Sequence, residues 1–444
     1  MSAPSETVST PSRHDLALEE KIRSRAARAG ILGLGYVGLP LAVEMARAGF
    51  HVTGIDVDAA KVTSLMAGRC YIDDVDCNFM TQLVKDRRLE ATADFAAIQG
   101  LDTINICVPT PLRKTRDPDM SFVVAAAEQI ARHLHPGMLI ILESTTYPGT
   151  TEELILPLLE KSGLREGVDF FLCFSPERVD PGNPQYQTRN IPKVVGGVSP
   201  RSAELAALFY SQAIEKVVPV SSTRVAEMVK LLENTFRMIN IGLANEMAIL
   251  CDRMQINVWE VIEAAATKPF GFMPFYPGPG LGGHCIPVDP FYLSWKSKQA
   301  GAEARFIELA GQLNGQMPHF VVEKVQAALN ERSKPVKGSR IHLLGVAYKK
   351  NVNDMRESPA LDILTLLDRR GARLSYTDPH VPHLKFDSGS LESQPLEEAG
   401  RADCVVIVTD HSRVDYARLV EIAPLIVDTR NVLRGFSSEK IVRL

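Results

Sequence analysis

Three glycines near the start of the chain constrain its fold more than any other feature. Gly33-Leu34-Gly35-Tyr36-Val37-Gly38 follows a short apolar stretch at 31–32 and opens a helical pattern at 39–48. Glycine at these spacings allows a tight turn and close backbone approach to a pyrophosphate. The helix start adds free N–H groups and a partial positive charge. Such a pattern alone can also be a packing turn. Here a second strand pattern at 52–55 follows the helix and ends in Asp56, 18 residues past Gly38. An acid at that place accepts hydrogen bonds from ribose hydroxyls and disfavours a 2′-phosphate, which points to NAD rather than NADP. Gly33, Gly35, Tyr36, Val37, Gly38 and Asp56 are the candidate cofactor residues, with Lys61 either near the adenosine or a solvated lysine.

The alternation that begins there sets the fold class. Apolar runs at 103–108, 138–142, 170–174 and 194–195 alternate with helical patterns such as 122–133, as in a parallel sheet covered on both faces. Residues 224–254 form a long run without proline, apolar at helical spacing, and 258–266 and 302–313 are also helical in pattern. Residues 268–290, rich in Pro, Gly and aromatics, read as loop. Alternation returns with strand patterns at 340–344, 373–376, 404–408 and 425–427. The expected class is α/β: two Rossmann-like, doubly wound parallel-sheet domains joined by a helical middle domain. The expected parts are a flexible arm at 1–28 with a short basic helix near 19–28, then 29–221, 222–320 and 321–444.

Composition narrows the function. The 444 residues carry 49 Lys+Arg against 53 Asp+Glu, a net charge of −4, which argues against a general nucleic-acid binder. No run approaches the roughly 20 apolar residues of a membrane helix, and the polar N-terminus lacks the apolar core of a secretory signal. Seven scattered cysteines form no CxxC pair or Cys/His cluster, so no metal site is expected. They read as thiols of a reduced, cytoplasmic protein, most of them small core residues.

Several polar residues carry candidate chemistry. Thr110 and Thr145 lie at strand ends, where α/β sheets bind ligands, although either can instead cap a helix. In the stretch 280–290, glycines including Gly280 precede Cys285, and Asp289 follows. Cys285 reads as a nucleophile or as a core thiol, and spacing alone leaves both open. Asp289 is placed to orient water or accept a proton. Lys230, Asn234 and Arg237 share one helix face, with the Lys–Asn pair suited to stabilise an oxyanion or the whole face a solvated stripe. Glu177 and Arg178 follow a strand end, suited to acid–base work and to a phosphate or sugar, or to a surface pair. Lys349, Lys350 and Arg356 occupy the phosphate position of the last part, which lacks a second glycine triplet; a solvated basic turn is the other reading.

Together these motifs resemble the UDP-glucose/GDP-mannose dehydrogenase family over residues 29–433. The resembling blocks are GLGYVGLPLA at 33–42, ESTTYPGTT at 143–151, FSPERVDPG at 174–182, KLLENTFRMIN at 230–240, GLGGHCIPVDP at 280–290 and GVAYKKNVNDMRESP at 345–359. The resemblance implies oxidation of C6 of a nucleotide-linked hexose to the carboxylate with two NAD+, for surface polysaccharide precursors. It implies Cys285 as nucleophile, Lys230 and Asn234 as the oxyanion pair, Asp289 as the acid assisting water, and Thr145 and Glu177 beside them. It further implies substrate contacts at Arg178, Val179, Arg237, Lys349, Arg356 and Arg430, and a homodimer or higher homo-oligomer built on the long helix. The stretch 268–283 is most similar to the bacterial subgroup acting on UDP-N-acetylglucosamine, with Phe275 and Tyr276 placed to pack on the sugar. UDP-N-acetylmannosamine and UDP-glucose are the alternatives within the same chemistry. A one-step NAD-dependent alcohol dehydrogenase would share the front of the chain but not the Gly-flanked cysteine. A non-enzymatic nucleotide-sugar-binding protein would most simply have lost it.

Overall fold

A computed structural model describes Arg13–Leu444 except residues 73–74, 114–116, 181–182, 184 and 388. The chain divides into two compact units, Met1–Leu232 and Glu233–Leu444.

The first unit holds one eight-stranded sheet. Its strands are β1 (Arg28–Leu32), β2 (His51–Ile55), β3 (Leu89–Thr92), β4 (Thr103–Ile106), β5 (Met138–Leu142), β6 (Phe170–Phe174), β7 (Lys193–Gly197) and β8 (Val217–Val220), in the order β3-β2-β1-β4-β5-β6-β7-β8. All neighbours pair in parallel except β6 and β7, which are antiparallel. β5 and β6 are buried along their whole length, as continuous apolar runs require when both faces are covered. Edge strand β3 carries no such run, and the sequence pattern did not include it.

The N-terminal arm departs from expectation. Residues 1–12 lie outside the described residues, but Arg13–Arg23 is a helix with Leu18 and Ile22 buried in the core. Arg201 clamps it through Asp15 at 2.8 Å and Glu19 at 2.5 Å. The helix ends before 28 because β1 begins at Arg28. The cysteines depart too. Cys70 and Cys77 are joined as a disulfide with Cα atoms 5.5 Å apart, brought together by the turn between the helices Ala59–Met66 and Cys77–Lys85. Cys107, Cys173, Cys251 and Cys404 are buried free thiols, and Cys285 is a partly exposed one.

The second unit holds a five-stranded parallel sheet. Its strands are β9 (Arg340–Leu344), β10 (Arg373–Thr377), β13 (Cys404–Ile407), β14 (Ile426–Asp428) and β15 (Ile441–Arg443), in the order β10-β9-β13-β14-β15. A small hairpin, β11 (His383–Phe386) and β12 (Gly389–Glu392), sits between β10 and β13 in sequence. Two helix boundaries differ from the sequence pattern. Arg305–Asn330 is one helix running through Pro318, past the expected boundary at 320. The helix Asp289–Gln299 begins inside the stretch read as loop, because a proline in the first turn sacrifices no intrahelical hydrogen bond and Pro290 sits there.

The two sheets repeat one local device. Gly33 N–H donates to Ile55 O at 2.8 Å and Gly345 N–H to Thr377 O at 2.9 Å. The following N–H groups reach an acid at the end of the next strand: Leu34 to Asp56 at 2.8 Å, and Val346 to Asp378 at 2.7 Å.

Candidate active site

In the first unit the cofactor cradle is built at the end of β1. Gly33 has φ +95°, and a Cβ there would meet the Cys107 carbonyl at 2.6 Å, so only glycine fits. A Cβ on Gly35 would meet nothing within 4 Å, leaving open space where a pyrophosphate belongs. Asp56 is buried and oriented: Oδ2 accepts from Leu34 N–H and from Lys61 Nζ at 3.2 Å, and Oδ1 accepts from Asp58 N–H at 2.9 Å. Lys61 is thus the acid's partner. Tyr36 is exposed and Val37 half-buried at the rim; Thr110 is half-buried beyond β4 and Thr145 beyond β5.

A buried polar network lies at the same sheet ends. Lys193, first residue of β7, donates to Glu143 at 2.6 Å and Glu177 at 3.0 Å. Glu143 also accepts from Asn105 at 2.6 Å and the Tyr210 hydroxyl at 2.5 Å. The other oxygen of Glu177 accepts the main-chain N–H groups of Arg178 at 2.7 Å and Val179 at 2.8 Å. Burial pushes the Glu177 carboxyl up, but the Lys193 ammonium and these N–H groups outweigh it and hold it below the usual carboxylate range. Arg178 donates to Pro192 O at 2.7 Å.

Glu227, near the start of the helix Thr223–Arg253, accepts from Gly149 N–H at 2.6 Å, Thr151 N–H at 2.9 Å and the Thr151 hydroxyl at 2.7 Å. It secures the turn after Thr145, and burial raises its carboxyl to about 7. One helical turn on, Lys230 is buried and makes no hydrogen bond or ion pair with any described residue. A buried ammonium without a partner is costly, which keeps Lys230 a candidate for a functional position. Sequence reasoning singled out Lys230 but not Lys193 or Glu227.

In the second unit the cysteine loop is pinned at both ends. Gly283, at φ +85° against the Tyr348 ring, donates its N–H to Arg356 O at 2.9 Å. The carbonyl of Cys285 accepts from Val288 N–H at 3.1 Å and Asp289 N–H at 2.7 Å, starting the helix Asp289–Gln299. Asp289 is buried, and its Oδ2 accepts from the Asn234 amide at 2.5 Å. Arg237 is exposed on the same helix.

The preceding loop is engaged within the chain. Phe275 meets Phe236 edge-on at 5.7 Å and Tyr276 stacks on Trp259 at 6.2 Å, so both rings expected on the sugar have protein partners. Gly278 N–H donates to buried Asn245 at 2.9 Å, whose amide reaches Asn314 at 2.8 Å. A Cβ on Gly278 would meet the Arg430 guanidinium at 2.8 Å, placing Arg430 beside this loop. Gly280 lies against Pro359 and Pro318. Lys349 is half-buried in the turn after β9, while Arg356 is exposed and paired to Asp354 at 2.6 Å. Among the described residues no group of three or more His, Cys, Asp or Glu could hold a metal ion, and no helix is long and apolar enough to cross a membrane.

Three domain models of one family match in series: the NAD binding domain at residues 27–214, the central domain at 224–316 and the UDP binding domain at 342–435. The chain belongs to the UDP-glucose/GDP-mannose dehydrogenase family. It is an NAD-dependent nucleotide-sugar dehydrogenase, with the cradle at Gly33–Gly38 inside the NAD binding domain and the turn at Lys349 inside the UDP binding domain. A UDP-N-acetyl-D-glucosamine 6-dehydrogenase of Pseudomonas aeruginosa is 39% identical over 356 residues, 80% of this chain and 83% of that protein. A UDP-N-acetyl-D-mannosamine dehydrogenase of Methanococcus maripaludis is 34% identical over 418 residues, 91% of this chain and 92% of its own. The solved UDP-D-ManNAc dehydrogenase of Pyrococcus horikoshii superposes with a TM-score of 0.86 at 34% identity, covering 94% of this chain and 98% of that one.

Proposed function

We propose that this dehydrogenase oxidises C6 of a UDP-linked 2-acetamido sugar, UDP-N-acetylglucosamine first among them, to the uronate in two steps through Cys285. The observation that carries the reading is the cysteine loop. Partly exposed Cys285 is joined through its own carbonyl to the Asp289 N–H, and the Asp289 carboxylate is held by Asn234. The cofactor supplies hydride acceptance, twice per sugar.

The residues divide the remaining work. The C6 alcohol gives up a hydride and releases its hydroxyl proton to water as it becomes an aldehyde, and Lys230, with no partner among the described residues, stabilises the oxygen charge that develops. The Cys285 thiol adds to that aldehyde, forming a C–S bond and a thiohemiacetal. Loss of the second hydride and a proton leaves a thioester on Cys285. Asp289, oriented by Asn234, takes a proton from water as the water adds. The thiol leaves and the carboxylate is released. Gly33, Gly35, Gly38 and Asp56 hold the dinucleotide. Arg178, Val179, Arg237, Lys349, Arg356 and Arg430 serve the nucleotide sugar, the paired guanidinium of Arg356 exchanging Asp354 for phosphate. The acetamido assignment is supported by the 39% identity to the Pseudomonas relative named for N-acetylglucosamine.

The test is NADH formed at limiting UDP-N-acetylglucosamine with excess NAD+. Two NADH per sugar is expected. One NADH with accumulating aldehyde overturns the cysteine route. No NADH here but two per sugar with UDP-N-acetylmannosamine or UDP-glucose moves the substrate and keeps the chemistry.

A further inference from the structure

Lys193 lies outside every motif that the function uses, yet it is the cation buried between two carboxyl groups at the cofactor end of the first sheet. Its side chain is 4% exposed, and those of Glu143 and Glu177 are 0% and 13% exposed. Each comes from a different element: Lys193 from β7, Glu143 from the end of β5, Glu177 from the end of β6. Both oxygens of Glu177 are engaged, one by Lys193 and one by the N–H groups of Arg178 and Val179.

We propose that Lys193 is a positioning residue that clamps Glu177 as a fixed, charged acceptor, so that Glu177 shapes the Arg178–Val179 turn and does not carry a proton in the reaction. The inference rests on the proposed function, in which Arg178 and Val179 meet the nucleotide sugar. A carboxylate shared between two main-chain N–H groups and an ammonium is held in orientation as well as charge. Buried carboxylates without such partners take up a proton instead.

The groups facing Glu177 decide what removal of Lys193 does. Lys193 from β7 and the N–H groups of Arg178 and Val179 contact Glu177, and Cys107 after β4 feels its charge; Glu143 after β5, which shares Lys193, accepts in turn from the Tyr210 hydroxyl of the helix Pro200–Ser211 and from Asn105 of β4. Burial, with Glu143 next, holds the Tyr210 hydroxyl and the Cys107 thiol protonated, so Lys193 is the cation of the cluster. In Lys193→Gln, Glu177 keeps only the N–H groups of Arg178 and Val179 against burial, and its carboxyl rises from the lowered range it has in the wild type.

The experiment is a pH series of kcat and of thermal stability for wild type, K193Q and K193R. Wild-type kcat carries no ionisation from Glu177 near neutrality. K193Q is expected to lose about tenfold in kcat per pH unit below its new ionisation and to regain it as pH rises. Its melting temperature moves the other way, falling over the same interval, because the folded state then gives up a proton that the unfolded chain has already lost. K193R, which keeps the charge, restores the wild-type profile. A K193Q profile that is merely scaled down, or in which kcat and stability fall together, overturns the proposal. Should K193Q not fold, E177Q is read instead: it must flatten the wild-type loss of stability on the acid side, and an unchanged acid limb overturns the proposal. The stability series needs no substrate, so a wild type that made no NADH from any UDP-sugar would sink the functional reading separately.

Discussion

The Asn234 amide donates to the Asp289 carboxylate at 2.5 Å, which ties the long helix to the first residue of the helix behind the cysteine loop. Under the proposed function, Asn234 orients the acid that handles water, besides its expected part in the oxyanion pair. Removing a donor from a buried carboxylate costs about 1–3 kcal/mol, or roughly tenfold to a hundredfold. In N234A the loss is expected after the second hydride leaves. Rapid-mixing absorbance should show a burst of NADH followed by a slow steady state. Equal slowing of both phases would mean that Asn234 acts only on the oxyanion.

Glu227 makes stability pH-dependent near neutrality. Burial raises its folded pKa to about 7 from 4.5. Between those values the folded protein keeps a proton that the unfolded chain has lost, so this contribution is complete below the lower value and disappears as pH rises through the higher. The size is about 3 kcal/mol at roughly 1.4 kcal/mol per unit. E227Q is expected to flatten the melting temperature across that interval, and a slope equal to wild type would exclude the assignment.

His342 works on the acid side. It is buried between the hydroxyls of Ser375 at 2.8 Å and Thr377 at 2.9 Å, and burial lowers its pKa to about 4 from 6.5. The unfolded chain gains a proton first, so stability is present above 6.5 and is lost as pH falls toward 4. H342Q should weaken that acid loss by up to about 3 kcal/mol while leaving NADH stoichiometry unchanged. Chemical denaturation at several acid pH values measures it.

The long helix presents an apolar face to solvent. Val225, Met228, Leu232, Phe236, Leu243 and Leu250 are all exposed, Leu232 by 62% and Leu243 by 54%. An exposed stripe of this length is expected to be covered, with a second copy of the chain as the expected occupant. L232E/L243E should elute as a monomer in light-scattering chromatography where the wild type elutes as a dimer or larger. Identical masses would remove this helix from the interface.

How much was legible in the sequence depended on how locally each feature is encoded. The glycine triplet with Asp56, and the loop bearing Cys285 and Asp289, are written in consecutive residues whose backbone needs allow few alternatives. β5 and β6 were legible because they are buried on both faces and read as unbroken apolar runs. Lys193 was not, since only the sheet brings 143, 177 and 193 together, and in sequence it is one lysine before two valines. The helix expected near 19–28 lies instead at Arg13–Arg23, because Leu18 and Ile22 are sparse apolar residues among charges, docked by the distant Arg201. The contacts of Phe275 with Phe236 and of Tyr276 with Trp259 were not legible, because their partners lie on other helices.

The repeated turn-and-acid device also separates the two nucleotides. At Asp56 the acid takes two main-chain N–H groups, from Leu34 and Asp58, and one side-chain partner, Lys61. At Asp378 the oxygens are filled from inside the fold by the N–H groups of Val346, Ala347, His380 and Val381 and by His411. The second half of the molecule therefore keeps the architecture of a dinucleotide site with its ribose hook already satisfied. Under the proposed function, in which the cofactor turns over twice for every sugar, this leaves the substrate a slot that free cofactor is poorly equipped to enter.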